Sequence, residues 1–364
     1  MYSKDTIVEH DYLLNIGVRS LFLGYQAVLK HNKIKNIPFF YCYTTSSKNH
    51  YNQCANALAK SFTKESPKGK LMVVEFDHLY PLPDLLSTLH YEKNNVVKFN
   101  VKLEKGKRYL RHFERSVLSG KKYNELEKGN NIIIVGGHSG VGKLLAEHLI
   151  KQYQVNVFAI GRRTLNDTEI SQLEIIRNHD SSVRYLSCDV NNRAELKVCL
   201  NNIRDYGGIH GIIHAAGIVE DHFLIQKKLD SFNRVLLPKI NGTINLDELT
   251  INDELKFFIT FSSLAGVMGN VGQGDYAAAN CFMDSYQHYR DVMHKQDQRN
   301  GKSISINWPY WKEGGMQLEA EYLAIMQKQG LEELTTSLGI AYFDNILNSN
   351  NLQSVVAIGN DDKI

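Results

Sequence analysis

Tyr276, in the stretch GDYAAAN (residues 274–280), carries a phenol that can give a proton to a ketone oxygen as hydride reaches the carbon. Carbonyl reduction needs a hydride donor, that proton, and a hydrogen bond that polarises the carbonyl. A free phenol titrates at about 10 and exchanges its proton more readily when a nearby cation stabilises the phenolate. One helical turn on, where a cation would share a face with Tyr276, stands the uncharged Asn280. The amine must come from elsewhere in the chain, or the chemistry fails.

A second group of residues accounts for the hydride donor. VGGHSGVG (135–142) follows an apolar strand and opens a helix. Gly136, Gly140 and Gly142 allow a sharp turn. With Gly137, His138, Ser139 and Val141 they would bring amide N–H groups and a helix N-terminus up to a pyrophosphate. A plain strand-to-helix turn uses glycines in the same way. At the end of the next strand, AIGRR, an NAD-binding chain would carry a carboxylate for the adenosine ribose; Arg162 stands there, with Arg163 beside it. Guanidinium groups pair bidentately with a 2′-phosphate, which favours NADPH over NADH. Two arginines on a solvated loop are the plain alternative. Asp189 and Val190, in SCDV, follow the third strand, where the carboxylate could accept from the adenine amino group. In HAAG (214–217), Ala215, Ala216 and Gly217 are small enough for the chain to pass under the nicotinamide-side ribose, and His214 reads as a packed, hydrogen-bonded histidine.

Ligand-binding positions of this kind lie at the C-terminal ends of strands in an open α/β sheet. From Asn131 the chain alternates as such a sheet requires: NIIIV, GKLLAEHLIKQY, VNVFAI, TEISQLEIIRNH, VRYLS, RAELKVCLNNI, IHGIIHAAG. Strands ELKFFITFSS, KSISINW and QSVVAIG and the long helix DYAAANCFMDSYQHYRDVM complete a doubly wound parallel sheet of some seven strands. Residues 313–345, with EGGM and the amphipathic AEYLAIMQKQGLEEL, either close over a ligand or pack as an ordinary helix. Upstream, SLFLGYQAVLKH and NQCANALAKSFTKE read as helices, and IPFFYCYTT, KLMVVEFD and NVVKFNV as strands, without phosphate-binding glycines. The polar segment VLSGKKYNELEKGN ends this first part, so the domains are expected at 1–128 and 129–364.

Bulk composition excludes several classes. With 364 residues, 43% hydrophobic and 22% charged, the chain is globular, and a net charge of +3 does not point to nucleic acid. Its five cysteines lack metal-ligand spacing and read as reduced thiols in a cytoplasmic protein, with no metal. No apolar run approaches the roughly 20 residues that span a bilayer, and the N-terminus lacks an export signal.

FSSLAGVMGNVGQGDYAAAN and LPKINGTINL resemble the signature of the ketoreductase domains of modular polyketide synthases, within the short-chain dehydrogenase/reductase superfamily. In that family a Ser lies thirteen residues before the Tyr, an Asn four after it, and a Lys thirty-seven before it; here these are Ser263, Asn280 and Lys239. Lysine and asparagine have exchanged places relative to ordinary short-chain dehydrogenases. The resemblance implies that Tyr276 donates the proton, Ser263 holds the carbonyl oxygen, Lys239 bonds the ribose and lowers the tyrosine pKa, and Asn280 supports the proton relay. Taken singly, Ser263 also reads as a strand-end cap, Lys239 as a solvated helix residue and Asn280 as a packing amide.

The resemblance further implies a Rossmann-fold catalytic subdomain preceded by a truncated Rossmann-like structural subdomain that binds no cofactor. CANALAKSFTKESP, KLMVVEFD and RYLRHFE carry that likeness, and INWPYWKEGGM (306–316) is similar to ketoreductases of synthases served by separate acyltransferases. The implied substrate is a β-ketoacyl thioester on an acyl carrier protein, among neighbouring synthase domains of which the chain would be an excised piece. B-type members, which give the (3R) alcohol, carry LDD after HAAG; here Val219, Glu220 and Asp221 keep only the last residue. A-type members place Trp where this chain has Met268. Ala278, in place of Pro, fits the B1 subtype, and Val135 replaces the commoner Thr at the start of the glycine-rich turn. A non-catalytic NADP-binding scaffold, which would bind cofactor without turnover, and a stand-alone dehydrogenase for a free alcohol are the competing functions; the Ser, Tyr, Lys and Asn set argues against the first and the extra N-terminal part against the second.

Overall fold

The computed structural model describes residues 4–31, 38–46, 48–67, 69–77, 80–94, 100–116, 123, 125–178, 180–316 and 320–360. They fall into two compact units, each assembled from separate stretches of chain. The first is Met1–Ser116, Ile218–Leu236 and Ala265–Ser285; the second is Val117–Gly217, Leu237–Leu264 and Tyr286–Ile364.

In the first unit, helices α1 (Lys4–Leu14) and α2 (Ser20–Lys30) are joined through a π turn at Asn15–Arg19. Strand β1 (Pro38–Thr44), helices α3 (His50–Gln53) and α4 (Ala55–Glu65), β2 (Lys70–Phe76), α5 (Leu82–Asn94), β3 (Asn100–Glu104) and β4 (Lys107–Tyr109) follow. The sheet runs β1-β2-β3-β4, parallel except for the last strand. Leu85 of α5 packs on Met72, Val74, Val101 and Leu103, while Tyr25 of α2 meets Phe62 of α4 edge-on at 4.7 Å. Of the expected strand NVVKFNV, residues 95–99 lie outside the described residues; the described strand begins at Asn100. Residues 117–122 and 124 of VLSGKKYNELEKGN also lie outside them.

The second unit is built on β5 (Asn131–Val135), α6 (Gly140–Tyr153), β6 (Asn156–Gly161), α7 (Asp167–Glu174), β7 (Arg177–Asn178), β8 (Ser181–Ser187), α8 (Arg193–Arg204) and β9 (Gly211–His214). The chain continues through α9 (Leu229–Leu249), β10 (Phe257–Ser263), α10 (Leu264–Met268), α11 (Gly274–His294), β11 (Lys302–Trp308), α12 (Ala320–Lys328), α13 (Thr336–Asn348) and β12 (Gln353–Val355), of which residues 229–236 of α9, 265–268 of α10 and 274–285 of α11 belong to the first unit. Strand order is β12-β11-β10-β9-β5-β6-β8-β7, with seven parallel strands and β7 antiparallel at one edge. Because successive side chains point to opposite faces, a strand buried on both sides reads as continuously apolar. NIIIV shows this directly. Ile132 and Ile134 join α6 and α13 in one core, while Ile133 and Val135 join α8 and Leu246 of α9 in another. The sheet is thus doubly wound, as expected.

Some element limits differ from expectation for local reasons. TEISQLEIIRNH is helical only to Glu174, because Ile176 turns inward and Arg177–Asn178 pair with Ser181–Ser182. AEYLAIMQKQGLEEL stops as a helix at Lys328, two residues before Gly330 at φ 83°. Within 313–345, α13 is a core element: Phe343 is fully buried, and Ile346 and Leu347 lie with it in the α6 core.

Within the second unit, the C-terminal parts of α9 and α11 are joined by a buried charge cluster. Asp247 accepts from Arg290 Nε at 2.8 Å, Arg299 Nε at 2.9 Å and Tyr286 Oη at 2.9 Å, with side-chain exposures of 1%, 1% and 7% for Asp247, Arg290 and Arg299. Removing one partner of a buried ion pair strands the other without solvent. Asp247→Asn is therefore expected to lower unfolding free energy by roughly 3–5 kcal/mol, read by urea denaturation. A loss under about 1 kcal/mol would show that the cluster does not hold the two helix ends together.

Candidate active site

Strand order reverses at β5, whose neighbours are β6 on one side and β9 on the other. The loops leaving β5 and β9 therefore meet at a switch point, where open α/β sheets bind ligands. They meet closely. Ala215 N donates to Val135 O at 3.0 Å, and a β-carbon on Gly136 would sit 3.2 Å from Ala216 Cα. Gly136 also has φ 84°, which an L side chain rarely adopts. A side chain on Gly142 would collide with the Gly136 carbonyl, so α6 starts hard against the turn, with Ser139 as its extended N-cap. The cradle has the bare backbone and helix start that a pyrophosphate requires, and the residues present fit a dinucleotide.

His138 packs edge-on to Tyr185 at 5.4 Å, and burial followed by the Arg163 charge holds its pKa below the ordinary value. The two arginines part company. Arg163 forks onto Glu169 at 2.8 and 2.6 Å, and Glu169 also closes the capping box that Asn166 makes at the start of α7. Arg163, with the Asn166 amide, holds the Glu169 carboxyl down to about 2. The Arg162 side chain is exposed and has no partner among the described residues, while its carbonyl accepts from Ser187 Oγ at 3.4 Å. At the end of β8, Asp189 Oδ1 accepts from the amide and side chain of Asn191 at 2.9 and 3.0 Å, while Val190 is buried and its carbonyl accepts from Asn245 Nδ2 at 2.9 Å.

Lys239 belongs to the second unit and is only 3% exposed. It follows Pro238, which sits inside α9 and cannot donate a helix hydrogen bond. Its ammonium donates to Phe261 O of β10 at 2.8 Å. The side chain crosses Gly217 so closely that a β-carbon there would lie 2.7 Å from Lys239 Cε. His214 is fully buried with Nε2 3.1 Å from Pro238 O, and burial, then the Lys239 charge, pushes its pKa down to about 3. It is a neutral packing histidine beside the lysine. Ser263 closes β10, where Asn307 Nδ2 donates to its carbonyl at 3.0 Å and to Ser262 Oγ at 2.8 Å.

Tyr276 and Asn280 lie in the first unit, on the first two turns of α11. Asn280 Nδ2 donates to Tyr276 O at 2.8 Å, and Tyr276 packs on an alanine-lined cluster with Ala57, Ala265, Ala277 and Cys281. Ala278 is fully buried and Met268 is 40% exposed. Glu220 takes a fork from Arg234 at 2.9 and 3.0 Å and a bond from Ser231 Oγ at 2.6 Å; Asp221 Oδ2 accepts from Gln273 Nε2 at 3.1 Å.

The sequence reading missed two charges that hold this end of α11. Lys227 and Asp275, with side chains 0% and 1% exposed, form a buried ion pair. Lys227 Nζ also donates to Glu220 O at 2.5 Å, and Asp275 Oδ1 accepts from Tyr276 N at 2.8 Å. Burial pushes the Asp275 carboxyl up to about 6, against the pull of Lys227. An acidic residue in the first turn of a helix is common enough that nothing in its spacing marks the pair. Among the described residues no cluster of His, Cys, Asp or Glu is placed to hold a metal, and no helix is long and apolar enough to cross a membrane.

Comparison with known proteins agrees with this arrangement. The KR domain family matches residues 130–313. Polyketide synthase PksM of Bacillus subtilis (strain 168) is 37% identical over 261 residues, covering 71% of this chain and 6% of that protein. PksN of the same organism is 32% identical over 289 residues, covering 78% and 5%. The chain thus spans about one-twentieth of the length of these curated relatives. A ketoreductase domain from the bacillaene assembly line superposes with TM-score 0.90 at 30% identity, over 97% of this chain and 84% of that one. An N-terminal ketoreductase from the macrolactin assembly line superposes with TM-score 0.85 at 28% identity, over 99% and 71%. With the family match extending over half its length, the chain belongs to the ketoreductase domains of polyketide synthases, oxidoreductases of the short-chain dehydrogenase/reductase superfamily.

Proposed function

We propose that this chain reduces the β-keto group of an acyl thioester, borne by the phosphopantetheine arm of an acyl carrier protein, to a (3R)-hydroxyl with NADPH. It would do so in the cytoplasm, as one domain of a synthase served by separate acyltransferases, with 1–128 structural, 129–364 catalytic and 313–345 acting as the lid region. The observation that carries the reading is Lys239. A lysine buried at the carboxyl end of the sheet, against Gly217 of HAAG and on the Phe261 carbonyl, is the amine that GDYAAAN lacks.

The roles follow from chemistry. Bound NADPH supplies hydride; the turn at Gly136 to Gly142 would hold its pyrophosphate, Arg162 its 2′-phosphate and Asp189 its adenine. Ser263 donates a hydrogen bond that polarises the ketone, and Tyr276 passes its proton to the oxygen as negative charge grows there. Lys239 favours the phenolate that remains, and Asn280 holds the relay by which the phenol is reprotonated. Glu220, Asp221 and Met268 border the substrate and bear on which face of the ketone is presented.

Tyr276→Phe is expected to reduce turnover of a β-ketoacyl N-acetylcysteamine thioester, followed by NADPH oxidation, by about 10²–10⁴-fold. An unchanged rate would refute the mechanism, and a mainly (3S) alcohol on chiral chromatography would refute the B-type assignment alone. Gly217→Ala places a methyl against Lys239 and is expected to cut kcat about tenfold with little change in Tm. Full activity in this variant would show that the lysine need not lie there. In fluorescence titrations Arg162→Asp should weaken NADPH by about 10–100-fold and NADH by less than about threefold, because a charge-assisted pair is lost. Arg163→Ala should do little, since that guanidinium is already engaged by Glu169; equal effects of Arg162→Asp on both cofactors would remove the 2′-phosphate argument.

A further inference from the structure

Two segments border the first turn of α11, and both lie in the first unit with it. One is residues 218–228: His222 N donates to Gly272 O at 2.9 Å, Asp221 accepts from Gln273, Leu224 fills the space where a Gly274 side chain would be, and Lys227 pairs with Asp275. The other is the turn 267–273 that leads into α11. On the proposed reductase reading, substrate reaches Tyr276 at the helix turn these segments border.

Helix α4 grips the turn through one side chain per backbone group. Lys60 Nζ donates to Val267 O at 2.6 Å, Lys64 Nζ donates to Gly269 O at 2.9 Å, and Ser61 Oγ accepts from Asn270 N at 3.0 Å. Gly269 lies so close that a β-carbon would stand 2.7 Å from Ser61 N. Glu65, the last residue of α4, differs from the others because it reaches both segments. Oε1 accepts from Gly272 N at 2.9 Å and Oε2 from Leu224 N at 2.7 Å. A carboxylate in the last turn of a helix opposes the macrodipole, so α4 does not itself favour it there. Two amide donors on one carboxylate are charge-assisted bonds with fixed directions.

We infer that Glu65 is a positioning residue for the reduction, its carboxylate bridging residues 218–228 and 267–272 so that the substrate meets Tyr276 by one face. This rests on the proposed reductase reading. The isosteric Glu65→Gln keeps one acceptor oxygen but turns an NH₂ toward the other amide, so it breaks one of the two carboxylate bonds that tie the segments through α4, leaving the His222–Gly272 and Asp221–Gln273 bonds, without opening a cavity.

The test compares wild type, Glu65→Gln and Glu65→Asp, with Ser61→Ala as a control that touches only the 267–272 turn. In Glu65→Gln, hydrogen–deuterium exchange is expected to rise about tenfold in 218–228 and 267–272 together, whether or not the chain turns over substrate; unchanged exchange overturns the inference. With a racemic α-methyl-β-ketoacyl N-acetylcysteamine thioester, the ratio of alcohol stereoisomers should erode about tenfold while NADPH affinity stays within about twofold. Ser61→Ala should keep the wild-type ratio. A wild-type ratio in Glu65→Gln, or equal erosion in Ser61→Ala, overturns the inference; a wild type without turnover overturns the reductase reading instead, and the exchange experiment still decides whether the bridge exists. Should Glu65→Gln not fold, Glu65→Asp, which keeps the charge but is one methylene short, carries the same measurements.

Discussion

The structure depends on a charge pair that sits out of water at the start of α11. Lys227 and Asp275 are each nearly inaccessible, so each ion has given up hydration that only its partner and a few polar groups replace. Such a pair is weak evidence of net stability, because burial opposes what attraction supplies. Its value lies in geometry. Apolar contacts would let residues 218–228 slide against α11, whereas an ammonium that must reach both Asp275 and Glu220 O has one place to be. Asp275 then passes that constraint to the Tyr276 amide, so Tyr276 stands in a helix whose first turn is fixed by charge.

The second unit uses the same device at its own helix ends and a different one at the cofactor side. Asp247, with Arg290, Arg299 and Tyr286, fixes the C-terminal parts of α9 and α11 by directional bonds in a dry interior. At the switch point, contact is made by backbone. Gly136 lies on Ala216, Gly142 on Gly136 and Lys239 on Gly217, so small residues there are required by neighbours as well as by a ligand. HAAG is small partly because the lysine runs across its last residue. His214, neutral and buried, adds no second charge to that environment.

Much of the fold was legible because its signals are local. The apolar run in NIIIV marked β5, FFITF marked β10, the alternating SISI marked β11, and GVG marked the start of α6. The pairing of Tyr276 with Asn280 followed from helical spacing alone, and the position of Lys239 from a family spacing. What the sequence could not show are partnerships between distant residues: Lys227 with Asp275, Asp247 with Arg290, Glu65 with Leu224 and Gly272. Each residue has an ordinary local explanation as a solvated charge, and none has a local requirement for its partner. Arg162 and Arg163 make the same point at close range. Adjacent in sequence and alike in chemistry, they separate only because Glu169, six residues on, caps α7 and takes one of them.

In the proposed mechanism, these local partnerships let the stretch around Tyr276 carry Asn280 where ordinary short-chain dehydrogenases carry a lysine. The tyrosine's backbone is held by Asp275 and by the Asn280 amide, while Lys239 stands on another helix with its own support in Phe261 O and Gly217. On the proposed mechanism, position and charge are supplied separately. An amide at 280 gives what a lysine there could not give without a cost in burial, since Asn280 is fully buried and its amide can donate to a helix carbonyl without a net charge. In that mechanism the departure from the commoner arrangement is a division of labour between two helices, each secured within its own unit.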